Sequence, residues 1–204
     1  MQSAQAKHAL IDAGRWLSAQ GWVPATGGNF SIRTEQGFVV TASGHDKGAL
    51  QPEHFLEFDA QGSHISGAGK PSAETDLHLA LYALSPDTHC ILHTHSVAAT
   101  VLSRLTEQHS LEISGYEMQK ALIGFTCHLE TLAIPVFDND QDIPALARRV
   151  TEYHSHTPIR HGVLIRGHGL YAMGADMSET RRHIEALEFL FNCELTRRQL
   201  EKNA

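Results

Sequence analysis

The chain has 204 residues, 42% of them hydrophobic, which is enough for one compact domain with a sizeable core and too short for two of ordinary size. Its formal charge of −7 comes from acids dispersed along the chain, and no cluster of Lys or Arg forms a basic stripe, so a nucleic-acid or anionic-membrane surface is not expected. No apolar run reaches membrane-spanning length, the N-terminal stretch lacks a signal peptide's continuous apolar core, and Cys90, Cys127 and Cys193 are odd in number and far apart; these features predict a cytoplasmic protein with reduced thiols.

In chain order, Ala6, Leu10, Ala13, Trp16 and Leu17 recur at helical spacing, which predicts an amphipathic helix over 3–19, stopped at Gly21. A Gly-Gly turn at 27–28 leads toward a strand. "GFVVTAS" at 37–43 is short and β-branched, and a second strand around Phe55 to Phe58 followed by a Gly-containing hairpin predicts an antiparallel portion. Leu77, Leu81 and Leu84 mark a helix over 74–84 that ends at Ser85-Pro86. "THCILHTH" is a strand and "SVAATVLSRL" the helix after it. Residues 142–154 form another helix, and "HGVLIRGHGLYAMG" reads as two short strands joined at Arg166 to Gly169. A final helix spans about 178–201, opened by Asp176 and Glu179 at capping-box spacing, with Ile184, Leu187, Phe191 and Leu195 inward. The mixture predicts an α/β sandwich in one domain over 1–204.

Fifteen histidines are the compositional oddity, and position decides which of them matter. His8, His109, His154 and His156 lie in polar neighbourhoods and read as surface residues. His93 and His95, in "HTH", lie two apart on a strand and address one point in space, as half of a metal site or as a hydrogen-bonded core pair. His168, with glycine on both sides, is the candidate third ligand, because its backbone can approach another element closely. Three imidazoles leave a fourth position open, the pattern of catalytic zinc, although neutral imidazole also suits Ni, Co or Fe. Thr26-Gly27-Gly28-Asn29 offers consecutive N–H groups for an anion, or is only a turn. Two further stretches supply similar groups: Thr41, Ser43, Gly44 and Lys47, then Lys70 and Ser72 ahead of a helix N-terminus.

"TGGNFS", "TASGHDK", "KPSAETDLH", "HTHS" and "GHGL", in this order over about 5–195, resemble the class II aldolase/adducin family. The resemblance implies a three-layer α/β/α sandwich with a mainly antiparallel central sheet. It also implies one zinc ion per subunit on His93, His95 and His168, and a homotetramer with sites near subunit contacts. Its phosphate pocket falls here on Thr26, Gly28, Asn29, Ser43, Gly44, Lys47 and Ser72. "EMQKA" at 117–121 is similar to the members of that family that dehydrate 5-methylthioribulose 1-phosphate in methionine salvage. That similarity implies a phosphosugar substrate and makes Glu117 the expected acid–base, with Glu74 second because "PSAE" matches the position of the aldolases' glutamate. Read without the family, 114–124 is an amphipathic turn with Met118 and Leu122 inward and Glu117 and Lys120 solvated. A zinc-dependent sugar-phosphate aldolase or epimerase using Glu74 is the alternative expectation. A non-catalytic adducin-like scaffold is a further one, which would have no chemical need for the three histidines.

Overall fold

A computed structural model describes residues 1–202. Five helices, α1 (Ser3–Ala19), α2 (Thr75–Leu84), α3 (Val97–Leu105), α4 (Ile143–His156) and α5 (Met177–Glu201), cover the two faces of one nine-stranded sheet. The strands are β1 (Asn29–Arg33), β2 (Gly37–Thr41), β3 (Phe55–Asp59), β4 (His64–Ser66), β5 (Cys90–Thr94), β6 (Ser110–Ile113), β7 (Leu132–Phe137), β8 (Gly162–Ile165) and β9 (Gly169–Gly174), in spatial order β4-β3-β2-β1-β5-β9-β8-β7-β6. All pairings are antiparallel except β7 with β8, which α4 connects.

Strand alternation sorts the core into two layers. Phe30, Ile32, Val39, Cys90, Leu92, Leu170 and Ala172 pack with residues of α1, α3 and α5. Phe38, Val40, Ile91, Tyr171 and Met173 point the other way and pack with residues of α2 and α4. The expected α/β/α sandwich with a mainly antiparallel sheet is therefore the fold. The central strand β5 is buried at every position, with Cys90, Ile91 and Leu92 apolar and His93 and Thr94 polar, and His93 shares the α2/α4 face with Ile91.

Most predicted elements are found, β6 and β7 come in addition to them, and two of the predicted ones differ in detail. The strand begun at Gly37 ends at Thr41, because Ala42 leaves the ladder to bridge Pro71 and Ser43-Gly44 form a turn. At the start of α5 Asp176 caps the Glu179 N–H, while Glu179 accepts from the Ala175 N–H rather than completing the box on the cap residue.

Direction within the sheet explains where chemistry gathers. β5, β8 and β7 run one way and β1 and β9 the other. The end of β5, the β8–β9 turn, the end of β7, the start of β1 and the end of β2 therefore all lie at one edge. Gly169 permits the closest approach there, since a Cβ on it would lie 1.9 Å from the Thr94 carbonyl oxygen. Gly169→Ala is expected to destabilise the protein by about 1–3 kcal/mol or more through overpacking, read as a lowered denaturation midpoint.

Candidate metal and phosphate site

At that edge the three histidines converge. His93 Nε2 lies 2.8 Å from His95 Nε2 and 3.2 Å from His168 Nε2, and the three ligand atoms all fall within 4.8 Å of one another. His93 Nδ1–H donates to the Leu170 carbonyl at 3.0 Å, which leaves Nε2 with its lone pair facing the other two rings. Burial, reinforced by the neighbouring imidazoles, holds His93 well below its ordinary pKa, and burial with His168 lowers His95 to about 4. Three imidazole nitrogens facing one point suit a cation between them, and in its absence His95 or His168 can donate an N–H to the free Nε2 of His93. A tetrahedral ion about 2.0–2.1 Å from each nitrogen spaces them roughly 3.3 Å apart, a small adjustment from the distances found. The donor set therefore fits a divalent metal.

The Tyr171 ring stacks on His93 with centroids 3.8 Å apart, and its buried hydroxyl lies beside Glu74 and Asn29 without a well-formed hydrogen bond to either. On the opposite face of β5, Thr94 Oγ1 donates at 3.4 Å to Glu188, a fully buried carboxyl on α5 raised to about 7 by desolvation. Glu188 carries no sequence signal beyond its helix, and the reading above missed it.

The fourth group at the histidines is a carboxylate. Glu74, immediately before α2, places Oε1 3.1 Å from His168 Nε2 and Oε2 3.8 Å from His93 Nε2. It also accepts a short hydrogen bond from the Asn29 side-chain NH₂, whose other contact is Ser72 Oγ at 3.3 Å. Both N–H groups of Asn29 are thus directed at protein partners.

A cleft of about 290 Å³ opens onto this cluster, lined by Thr26, Gly28, Asn29, Ser43, Gly44, Lys47, Ser72, Glu74, His95 and His168. The structure thereby gathers residues of all three glycine-and-hydroxyl motifs, but not Thr41, which is buried and accepts from the Phe30 N–H, or Lys70, which is exposed outside the cleft. The Lys47 side chain is buried and donates to the carbonyls of Thr26 and His45 at 2.8 Å each, leaving one N–H of the ammonium uncommitted. Burial lowers its pKa, with Asp46 and Glu74 countering. Gly28 has φ of 79°, and a Cβ there would meet the His93 carbonyl oxygen at 2.5 Å, so this glycine seats the anion loop on the metal strand. Ala25 and Thr26 also take positive φ, 50° and 67°, which places backbone strain beside the cleft. Asn139, Asp140 and Gln141, after β7, form a wall the sequence did not announce, because a polar loop ahead of a helix has no distinguishing period.

Glu117 lies elsewhere. It opens a 3₁₀ turn, Glu117–Ala121, with its side chain 70% exposed, ion-paired to Lys120 and 3.7 Å from His128 Nδ1, and it does not line the cleft. Lys120 holds its carboxyl below the usual range. Leu122 is buried as the amphipathic-turn reading expects, whereas Met118 is exposed. Within one chain, the carboxylate at the histidines is Glu74.

A model of the class II aldolase and adducin N-terminal domain matches residues 8–195. The chain belongs to the class II aldolase and adducin family. Among relatives within this family, it is 65% identical to a methylthioribulose-1-phosphate dehydratase of Pseudoalteromonas translucida, over 92% of this chain and 89% of that one. It is 56% identical to a protein of the same name from Pectobacterium carotovorum subsp. carotovorum, over the full length of both. Of solved class II aldolase structures, the L-fuculose-1-phosphate aldolase of Thermus thermophilus superposes with a TM-score of 0.77 at 28% identity, covering all of both chains. No helix among the described residues is long and apolar enough to cross a membrane.

Proposed function

We propose that this chain, working as one domain over 1–204, is a zinc-dependent hydro-lyase that dehydrates 5-methylthioribulose 1-phosphate to 2,3-diketo-5-methylthiopentyl 1-phosphate in methionine salvage. The observation that carries this reading is near-full-length identity to two proteins named as that dehydratase, in a chain whose three imidazoles open onto a hydroxyl- and glycine-lined cleft.

His93, His95 and His168 would hold one divalent ion, which would supply polarisation of the substrate's C2 carbonyl and so acidity at C3. Thr26, Gly28, Ser43, Gly44 and Ser72 present N–H and O–H donors to the phosphate, and Lys47 adds positive charge. Asn29 serves the same pocket indirectly, by holding Ser72 and Glu74. The C3 proton goes to a carboxylate, the C4 hydroxyl leaves as water after protonation, and the resulting C3–C4 enol takes a proton at C4 to become the second ketone.

We assign the proton transfers to Glu117, delivered by a second copy of the chain in a homotetramer, while Glu74 orients groups at the metal. Support comes from the exposure of Glu117 and from the apolar side chains near it in sequence, Met118, Ile123 and Leu129, which are left open on the surface. A cytoplasmic location fits the phosphorylated substrate and the three free thiols.

The position of Glu74 is the one observation favouring a second reading, a sugar-phosphate aldolase. Turnover of synthetic methylthioribulose 1-phosphate separates them: diketone absorbance supports the dehydratase, and retro-aldol fragments overturn it. Ser43→Ala deletes one hydrogen bond to a charged group, worth about 1.5–3 kcal/mol, so kcat/KM should fall roughly 10- to 150-fold. If the dephosphorylated sugar reacts equally well, the anion pocket is misassigned.

A further inference from the structure

Behind Glu74 a chain of buried polar groups crosses from the sheet to α2. β1 supplies Asn29 and Ser31, two residues apart and therefore on one face; α2 supplies His78 and Tyr82, four apart and therefore on one side of the helix. All four are buried, with His78 and Ser31 fully so. The Asn29 carbonyl oxygen is joined to His78 Nε2 by a short hydrogen bond, His78 Nδ1 lies 2.7 Å from Ser31 Oγ, and Ser31 Oγ lies 2.8 Å from the Tyr82 hydroxyl.

The direction of every bond in this chain follows from its last member. An ionised carboxylate only accepts, so the Asn29 group facing Glu74 is the NH₂, and its Oδ1 faces His78. That oxygen also only accepts, so His78 carries its proton on Nε2. A neutral imidazole has a single N–H, which makes Nδ1 an acceptor for the Ser31 O–H, and Ser31 Oγ in turn accepts from the Tyr82 O–H. The bonds all point one way and end on Glu74. The Tyr171 ring meets His78 edge-on at 5.7 Å between centroids, so the packing that supports His93 also fixes the plane of His78.

We propose that His78 is a positioning residue that locks the Asn29 side-chain amide, so that its two N–H groups face Glu74 and Ser72 instead of its carbonyl. An Asn amide is nearly symmetric in shape, and only its hydrogen-bond partners choose between its two orientations. Without a donor at His78 the amide can turn over, losing its N–H bond to Ser72 and aiming its oxygen at the Glu74 carboxylate, which is then repelled from its place beside His168. The sequence offers one signal for this role, a His on the apolar stripe of a helix with Tyr four residues later.

The proposal rests on the reading that Glu74 orients groups at the metal, and its test has two arms. Long-range ¹⁵N correlation of the wild-type protein's histidines should show His78 as the Nε2–H tautomer; an Nδ1–H tautomer overturns the lock whatever the protein catalyses. In the zinc-loaded enzyme, His78→Phe keeps a ring but no donor and should lower kcat about 10- to 100-fold, with KM within about threefold and zinc content unchanged. His78→Gln places an N–H where Nε2 stood and should recover most of that loss. Equal impairment of both folded variants, or no effect of either, overturns the proposal. Absence of wild-type dehydration would instead strike the functional reading, leaving the tautomer result to decide the lock. Should His78→Phe fail to fold, the tautomer and a kcat of His78→Gln close to wild type still decide it.

Discussion

His95→Ala protein is expected to lose its divalent ion and, with it, measurable dehydration. His95 is one of three nitrogens converging on a point, and no other imidazole joins the cluster to take its place among the described residues. Removing a group that merely supports a ligand costs roughly 10- to 100-fold in metal affinity, so deleting the ligand itself should cost more. Elemental analysis of purified protein and titration of the chelated form with zinc measure this. His109→Ala, at an exposed position before β6, should retain wild-type stoichiometry. Equal metal content in the two variants would contradict the ligand assignment.

Glu117→Gln keeps the size of the side chain but cannot shuttle a proton. It should lower kcat by about 10²–10⁴-fold, the usual value of general acid–base assistance, with zinc binding intact. Glu74→Gln should impair turnover less, because its contacts with His168 and Asn29 describe an orienting group. Since Glu117 lies outside its own chain's cleft, the two glutamates can be separated by mixing. Subunits of Glu117→Gln and His95→Ala, each inactive alone, should regain activity when dissociated and reassembled together, because some interfaces then join an intact metal site to an intact Glu117. Should Glu74→Gln be dead and Glu117→Gln nearly normal, with no gain on mixing, the acid–base residue is Glu74.

The fold was legible wherever pattern and punctuation agreed. α1 has a clean 3.6-residue stripe, and His93 and His95 declared a shared direction through the two-residue period of β5. β6 and β7 were not foreseen. β6 is only four residues long, and β7 contains Pro135, which lacks an N–H and argues against a strand; the structure accommodates it because the β8 ladder is formed only at Val136 and Phe137. The clustered histidines and the loops that line the cleft could be picked out because each motif is local. Glu74's place among the histidines was not readable in the same way, since it depends on Asn29, 45 residues earlier in the chain, and on His168. The role proposed for Glu117 is harder still to read, because nothing in its own chain brings it to the cleft.

The partners that build the site are among the most distant in sequence: His93 and His168 are separated by 75 residues, and Asn29 and His78 by 49. Closing such long loops costs chain entropy before any contact compensates, so docking β9 on β5 belongs late in folding. A chain whose helices have formed but whose central strands have not closed would show helical circular dichroism and yet have no place for an ion. Metal added during refolding therefore selects the finished topology by mass action, and the thermal midpoint should climb with free zinc. If zinc is the ion these histidines hold, its supply in the cell sets how much of this protein survives as folded chain, apart from any effect on turnover.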